Sequence, residues 1–466
     1  MTQIPELKIG NESQAGSRTS IRVSLYGYIA AIFVTSFFSA FAFYNDTYLV
    51  GYLILVISLI VFPIFALTDK VVFNGKRLYR SGSLSMAWAY INRTRIWLKL
   101  KDVEQVETHA FPTMKRGGKV FYKYKTVIRG KGIEFSFSSG SAGYRKMIRT
   151  VLPLISENVL DNRSLEIRDY IPEPKQTQLK AFQSNIPPAD VLENSFRHTL
   201  SKKVNNTKSE LLPADSLGLE KAKGLRVLAN ELRLSGSHLQ ALETFRRATL
   251  LKPADAWLLF EFARCIQSFA GTEKNIGLER KAVAMLRLSE LRAGNDGDLL
   301  ARLGESYFQQ GEWRRAGIAF QKAVDVVGEQ FRSMRGLAEI ALRDGKIAHV
   351  IHNFSIANRL AETAALQRWS KGEVEYFSRL HDDDEYMEME IGRVNLLDAL
   401  DRRKRTTLRL AFIGFPIIAL GLFYDDVVIA NCGWTLSGTS IVLWTLIMLG
   451  QRIFAPRISM DMIEED

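Results

Sequence analysis

The amino-acid sequence predicts an α+β membrane protein, with a transmembrane helical hairpin at each end and two folded modules between. The first module is small, β-rich and closed by a helix; the second is an α-solenoid of helix pairs. Three observations predict this. The long apolar runs lie near the two ends. Short β-like runs broken by glycine follow the first hairpin. Between 222 and 366, small and aromatic residues recur 34 residues apart.

A bilayer core of about 30 Å needs roughly 20 mostly apolar residues in a helix. Residues 23–67 supply two such runs, Val23–Tyr44 and Tyr48–Leu67, separated only by Asn45, Asp46 and Thr47. Residues 408–450 supply two more. Leu408–Tyr424 carries Arg409 at its start, where it can snorkel to the headgroups, and Val427–Leu449 follows the turn at Asp425 and Asp426. A cleaved signal peptide is the competing reading of the first run, but the run is long and a second follows at once. Lys and Arg cluster outside the hairpin tips, at Arg18, Arg22, Lys70, Lys76, Arg77, Arg402–Arg405, Arg452 and Arg457, and the tips carry only aspartate. This bias places the tails 1–22 and 451–466, and everything between the hairpins, on the cytoplasmic side. Pro63 and Pro416 interrupt two spans, as a packed bundle tolerates. No ionisable residue falls at a span midpoint, which disfavours a pore or transporter component.

The formal net charge of +12 suits an anionic membrane surface or another acidic partner, and nucleic acid would explain it equally. Cys265 and Cys432 lie far apart and show no metal-ligand spacing, so neither a disulfide framework nor a zinc site is expected.

Residues 70–156 read as strands at Val71–Phe73, Arg77–Ser81, Arg95–Lys99, Val103–His109, Lys119–Arg129 and Ile133–Ser138, then a helix from Tyr144 to Ile155. The order GKRLYRSG, IWLKLKDVEQVET, YKTVIRGKGIEFSF and YRKMIRTVLPLI, directly after a membrane hairpin, resembles bacterial pleckstrin-homology domains. That resemblance implies a small β-barrel capped by one helix and carries no catalytic residues. Within it Lys115, Arg116, Lys119, Lys123, Lys125, Arg129 and Lys131 fall in a stretch without acids. Regular strand alternation puts Lys119, Lys123 and Lys125 on one face. The readings left open are a solvated strand face, general contact with anionic lipid, or specific headgroup binding. Nucleic acid is disfavoured, since Phe121, Tyr122 and Tyr124 only partly interleave with the basic residues.

Residues 157–221 are polar and punctuated by Pro172, Pro174, Pro187, Pro188 and Pro213, and read as a flexible tether with a short helix at Val191–Leu200. Residues 222–366 carry the recurrence. Gly304, Tyr307, Gly311, Ala316, Phe320 and Ala323 are followed 34 residues later by Ala338, Ala341, Gly345, Val350, Phe354 and Ala357. These positions resemble the tetratricopeptide repeat, LGESYFQQGEWRRAGIAFQKAV being the clearest copy. A second repeat fits from Ala263 to about Ser289 only with seven residues inserted between its helices, near 271–277. The glycines and alanines let helices approach, and Phe320 and Phe354 wedge between neighbours. What the resemblance implies is a concave surface that holds peptides or partner proteins. Arg264, Arg302 and Arg335 are the exposed partner contacts that spacing suggests.

Residues 367–407 form an acidic connector, with ten acids against four bases from Arg368 to Asp401, read as a solvated helix running into the third span. A sharper reading docks it on the basic stretch at 115–131. No phosphate loop, G-x-S-x-G or H-E-x-x-H occurs. His349 and His352 lack a third ligand partner, so no cofactor, metal or catalytic residue is expected. The function expected is an inner-membrane scaffold in a bacterium, recruiting a cytoplasmic protein through the repeats. The alternative is a structural subunit of a multi-component envelope machine.

Overall fold

The computed structural model describes residues 18–23, 26–82, 86, 95–116, 119–139, 143–193, 216–455 and 457. The chain divides into two compact units: Met1–Val23 with Asp69–Val374, and Ser24–Thr68 with Glu375–Asp466.

The first unit begins before the first hairpin. In β1 (Thr19–Arg22), Thr19 and Ile21 are buried while Ser20 and Arg22 face out, the alternation of a half-buried strand. The last four residues of the tail 1–22 therefore belong to a sheet. β1 pairs antiparallel with β2 (Lys70–Phe73), so the first hairpin is inserted between two neighbouring strands of one sheet. β3 (Arg77–Ser81) and β4 (Trp97–Lys99) complete that sheet in the order β1-β2-β3-β4. β5 (Gln105–Arg116), β6 (Lys119–Gly130) and β7 (Ile133–Ser138) form a second, three-stranded sheet. No ladder joins the two sheets among the described residues, so the expected barrel is not closed. The physical reason lies at the junction. β4 is only three residues long, and a 3-10 turn at Leu100–Asp102 redirects the chain before β5 begins. Both sheets instead share a core with α4 (Tyr144–Val151), whose Met147, Ile148 and Val151 are fully buried.

The tether reading of 157–221 is also corrected. Residues 157–193 are folded, through α5 (Asn162–Tyr170) and α6 (Pro174–Gln183); residues 194–215 lie outside the described set. Asp161 caps α5 by accepting from the Ser164 amide at 2.9 Å. Within Asn162–Ile167 every residue but Arg163 is buried. Three of these, Asn162, Ser164 and Glu166, are polar, which is why the segment reads as solvated in sequence. Each finds a partner inside the protein: Asn162 on a helix carbonyl, Ser164 on Thr108, and Glu166 on two arginines.

Four antiparallel helix pairs follow. They are α7 (Ser216–Leu234) with α8 (His238–Leu251), α9 (Ala256–Glu273) with α10 (Ile276–Arg292), α11 (Gly297–Gln309) with α12 (Trp313–Val327), and α13 (Phe331–Arg343) with α14 (Ile347–Arg359). The recurring residues lie inside the array or at its turns. Tyr307, Ala316, Ala323, Ala338 and Ala357 are fully buried, and Phe354 nearly so. Phe320 lies against Gly304 of its own pair and Gly336 of the next, and a Cβ at either glycine would collide with its ring. Gly311 and Gly345 take positive φ of 78° and 72° at the inter-helix turns, a conformation open to glycine at little cost. The expected seven-residue loop between α9 and α10 is absent. Only Lys274 and Asn275 separate those helices, and the extra residues lengthen the helices themselves, 18 and 17 residues against 13 and 15 in the next pair. Leu234, Phe331, Met334 and Ile356 of the array belong to the same hydrophobic cluster as Val106, Phe135 and Ile148 of the sheets, so the two modules share one core.

Among the described residues of the second unit, four helices are long and apolar enough to cross a membrane. α1 (Tyr26–Tyr44) is followed by a broken helix in which a π turn at Ile57–Val61 joins α2 (Tyr48–Val56) to α3 (Phe62–Thr68). The π turn ends two residues before Pro63, which cannot donate to the helix ladder. Ser58 in that turn donates to the Ile32 carbonyl at 3.0 Å. α15 (Ala364–Asp382) contains the boundary between the units, and Asp383 then caps the helix that follows by accepting from the Tyr386 amide. α16 (Asp384–Phe423) joins the acidic connector to the third apolar run without a break. It packs on α17 (Val427–Phe454) through Gly414, Gly421 and Gly433, where a Cβ would strike the facing helix. Phe37 of α1 stacks against Trp434 of α17 at 5.0 Å, tying the hairpins into one bundle.

Candidate functional site

The first helix of each pair presents charged residues to one face, and residues 156–170 lie across it. Arg233 of α7 donates to Glu166 at 3.0 Å, and Arg264 of α9 pairs with the other oxygen of the same carboxylate. Tyr170 donates to Glu261 of α9 at 3.0 Å, and Arg226 of α7 grips that carboxylate with two bonds of 2.6 and 2.7 Å. Asn162 donates to the Arg302 carbonyl on α11, and Arg332 on α13 donates to the Glu157 carbonyl at 2.9 Å. The face that spacing assigns to a partner thus already holds a segment of the same chain.

None of the three arginines expected as exposed contacts is exposed. Arg264 is 5% exposed and spent on Glu166. Arg302 stacks over Trp257 at 5.1 Å with Glu157 at 4.0 Å, and Arg335 stacks over Trp369 at 5.2 Å while donating to Glu339 at 2.9 Å. Spacing places them on the right face and misses what covers it. Burial works against the Glu166 carboxylate, yet the Arg233 and Arg264 guanidiniums hold it down at about 2.

The basic stretch divides along its strand. Lys123 and Lys125 are exposed on one face of β6, and no described acid lies within ion-pair distance of either. Arg129 bonds Glu107 and Glu134, both at 3.2 Å, and Lys131 pairs with Asp102 at 2.9 Å. The side chains of Lys115, Arg116 and Lys119 lie outside the described residues. The opposite face of β6 is committed to the array. Tyr122 bonds His238 Nε2 and Thr272 Oγ1, both at 2.8 Å, and Tyr124 donates to the Leu234 carbonyl at 2.8 Å. That use removes both tyrosines from any base-stacking role.

Between β6, α5 and helices α7 to α12 lies a cavity of about 890 Å³. Its lining includes Arg163, Arg233, Arg264, Arg280 and Arg287 against Glu166, Glu279 and Glu312. Sequence reasoning does not single out Arg163, Arg280, Arg287 or His238. His238 is 1% exposed, and burial beside Arg233 pushes its imidazole down to about 4, so it stays neutral. Its Nδ1 and the Gln310 Nε2 are buried with no hydrogen-bond partner. No group of three or more His, Cys, Asp or Glu suited to a metal occurs among the described residues, and burial raises the Cys265 thiol to about 12.

These features define a class: an α-solenoid of helix pairs with an internal segment laid across its first helices, in a chain that also carries four long apolar helices. No protein-family model and no curated protein matches the chain. Similar solved structures include a thermophilic TPR protein of Thermus thermophilus, at 18% identity and a TM-score of 0.28, covering 33% of this chain and 81% of that one. Another is the APC/C hetero-tetramer Cut9-Hcn1, at 14% identity and a TM-score of 0.28, covering 49% of this chain and 43% of that one. At such scores neither likeness carries the fold; the helix pairs themselves do.

Proposed function

We propose that this protein is a non-catalytic scaffold anchored in a bacterial inner membrane, which recruits a protein partner on the cytoplasmic side through its tetratricopeptide-like array. The observation that carries the reading is the joining, in one chain, of a helix-pair array to four apolar helices whose flanks are rich in Lys and Arg. Anchoring raises the concentration of a recruited partner beside membrane complexes. With the first-helix face taken by residues 156–170, the partner surface is the outer one, where Leu250, Leu291, Ile318 and Val327 of the second helices stand exposed. The seven strands in a four-plus-three order, closed by α4, support reading 70–156 with β1 as a pleckstrin-homology-like module. Exposed Lys123 and Lys125 are its available contacts for anionic lipid.

The test is crosslinking in intact membranes, followed by recovery of the full chain and of its Leu291→Asp and Val327→Asp variants. A single dominant partner that is lost from both variants, while the variants still fold and insert, supports the scaffold. A partner retained by both points instead to a structural subunit held through its spans. Labelling of a Lys281→Cys variant by an impermeant reagent in intact cells would overturn the orientation.

A further inference from the structure

We infer that the cavity between β6, α5 and α9–α10 is a binding site for a soluble phosphorylated small molecule of about nucleotide size. The site is separate from the outer surface proposed for a protein partner. Five arginines line it, and they divide into two groups. Arg233 and Arg264 are spent on Glu166. Arg163, Arg280 and Arg287 have no described acid within ion-pair distance. Of the remaining acids, Glu312 leans to Arg315 at 3.8 Å, outside the lining, and Glu279 is left facing the cavity. The lining therefore stays cationic after its internal pairs are formed.

The geometry suits a compact ligand. Ile276, Arg280, Val283 and Arg287 line the cavity at spacings of three and four, so one face of α10 presents two guanidiniums about two turns apart. Arg163 approaches from α5 across the space. Guanidinium forks match phosphate oxygens with paired, charge-assisted hydrogen bonds. About 890 Å³ is the size of a small-molecule site, and Gln267, Gln309 and Gln310 in its lining offer amide contacts to the organic part of the ligand. An extended peptide fits less well, because the Tyr122 bonds to His238 and Thr272 close β6 onto the helices where such a chain would leave.

The lengthened second pair builds this wall. Gly271, Thr272 and Ile276 lie in the stretch where the repeat pattern fails, and all three line the cavity. The irregularity in the sequence and the cavity in the structure are one feature.

The experiment uses the full chain in nanodiscs of neutral lipid at low salt, titrated with inorganic pyrophosphate and with ATP, binding being read by calorimetry and by thermal stabilisation. The expected result is saturable binding of both probes, weakened at least tenfold by Arg280→Glu or Arg287→Glu and unchanged by Lys281→Glu. Lys281 is exposed on the same helix and absent from the lining. Arg280 and Arg287 are themselves exposed, so their variants keep the fold, which an unchanged melting temperature without ligand checks. Failure of either probe to saturate, or equal loss in Lys281→Glu, overturns the site. Stabilisation only when phosphatidate is placed in the discs overturns the soluble ligand and assigns the phosphate to a lipid. Partner crosslinking by Leu291→Asp is read separately, so either proposal can fail alone.

Discussion

The pairs α9–α10 and α11–α12 are neighbours in one array, yet they treat their residues differently. In α11–α12 the recurring positions are all consumed by packing: Gly304 under Phe320, Ala316 and Ala323 at zero exposure, Gly311 at the turn. In α9–α10 both helices are longer, the turn is made by Lys274 at φ 51°, and the added length overhangs a cavity instead of a neighbouring helix. At the recurring positions a strict pattern leaves no side chain free for anything but packing and the turn. Where the pattern relaxes, Gln267 of α9 and Arg280 and Arg287 of α10 line a cavity. In a repeat protein, then, departure from the repeat points to chemistry and adherence points to stability.

The largest effect that sharpens this contrast is expected at Phe320. Its ring fills the space over Gly304 and Gly336 and is 1% exposed. Phe320→Ala removes packing shared by two successive pairs and should cost about 3–5 kcal/mol. Ile276→Ala, in the overhang and largely exposed, should cost under about 1 kcal/mol. Urea unfolding of the detergent-solubilised chain, followed by tryptophan fluorescence, compares them. Similar losses at the two sites would erase the distinction drawn between the pairs.

The array and the long apolar helices are legible in the sequence because both rest on a local pattern. Twenty apolar residues and a 34-residue recurrence are physical necessities of a bilayer and of stacked helix pairs. Strand positions in 70–156 are legible for the same reason, through alternation. What escapes depends on long-range pairing, which leaves no local trace. Four residues before the first span join a sheet completed some fifty residues later, at Lys70–Phe73. Asn162, Ser164 and Glu166 look solvated until Thr108, Arg233 and Arg264 are known to face them. Arg264 and Arg302 fall on the expected face, but nothing near them in sequence announces residues 156–170. The cavity does have a signal, the seven extra residues near 271–277, which in sequence looks only like a fault in the pattern.

A second test concerns His238, at the start of α8, which faces Tyr122, Phe269 and Arg233. Burial and Arg233 bring it to about 4 from an ordinary 6.5. Between those values the unfolded chain binds a proton that the folded chain refuses. Stability should therefore fall as pH drops from about 6.5 to 4, by up to about 3 kcal/mol. Glu166, held near 2, is still ionised when folded across this window, and contributes its own loss only below about 4.5. Unfolding midpoints between pH 7 and 5 for the natural chain and for His238→Gln measure the difference. The variant should show the shallower slope, since glutamine carries no proton to refuse and can still donate to Tyr122. An equal slope would mean that His238 takes up its proton inside the fold, and that the cavity wall is wetter than the regular pairs.

The smallest effect bears on the comparison most directly, because it exchanges the turn chemistry of the two pairs. Gly311 and Lys274 occupy equivalent turns, with φ of 78° and 51°. A side chain in this region costs on the order of 1 kcal/mol, from crowding of Cβ against the backbone carbonyl. Gly311→Ala should therefore destabilise by about 1 kcal/mol or somewhat more. Lys274→Gly relieves the same strain, but glycine also gains freedom in the unfolded chain, so the net change should lie between about zero and 1 kcal/mol of stabilisation. Opposite signs would show that the irregular pair keeps a strained turn that its regular neighbour avoids. If Lys274→Gly also destabilises, then its side chain or its fixed backbone supports the overhang, and the relaxed pattern there is itself under structural constraint.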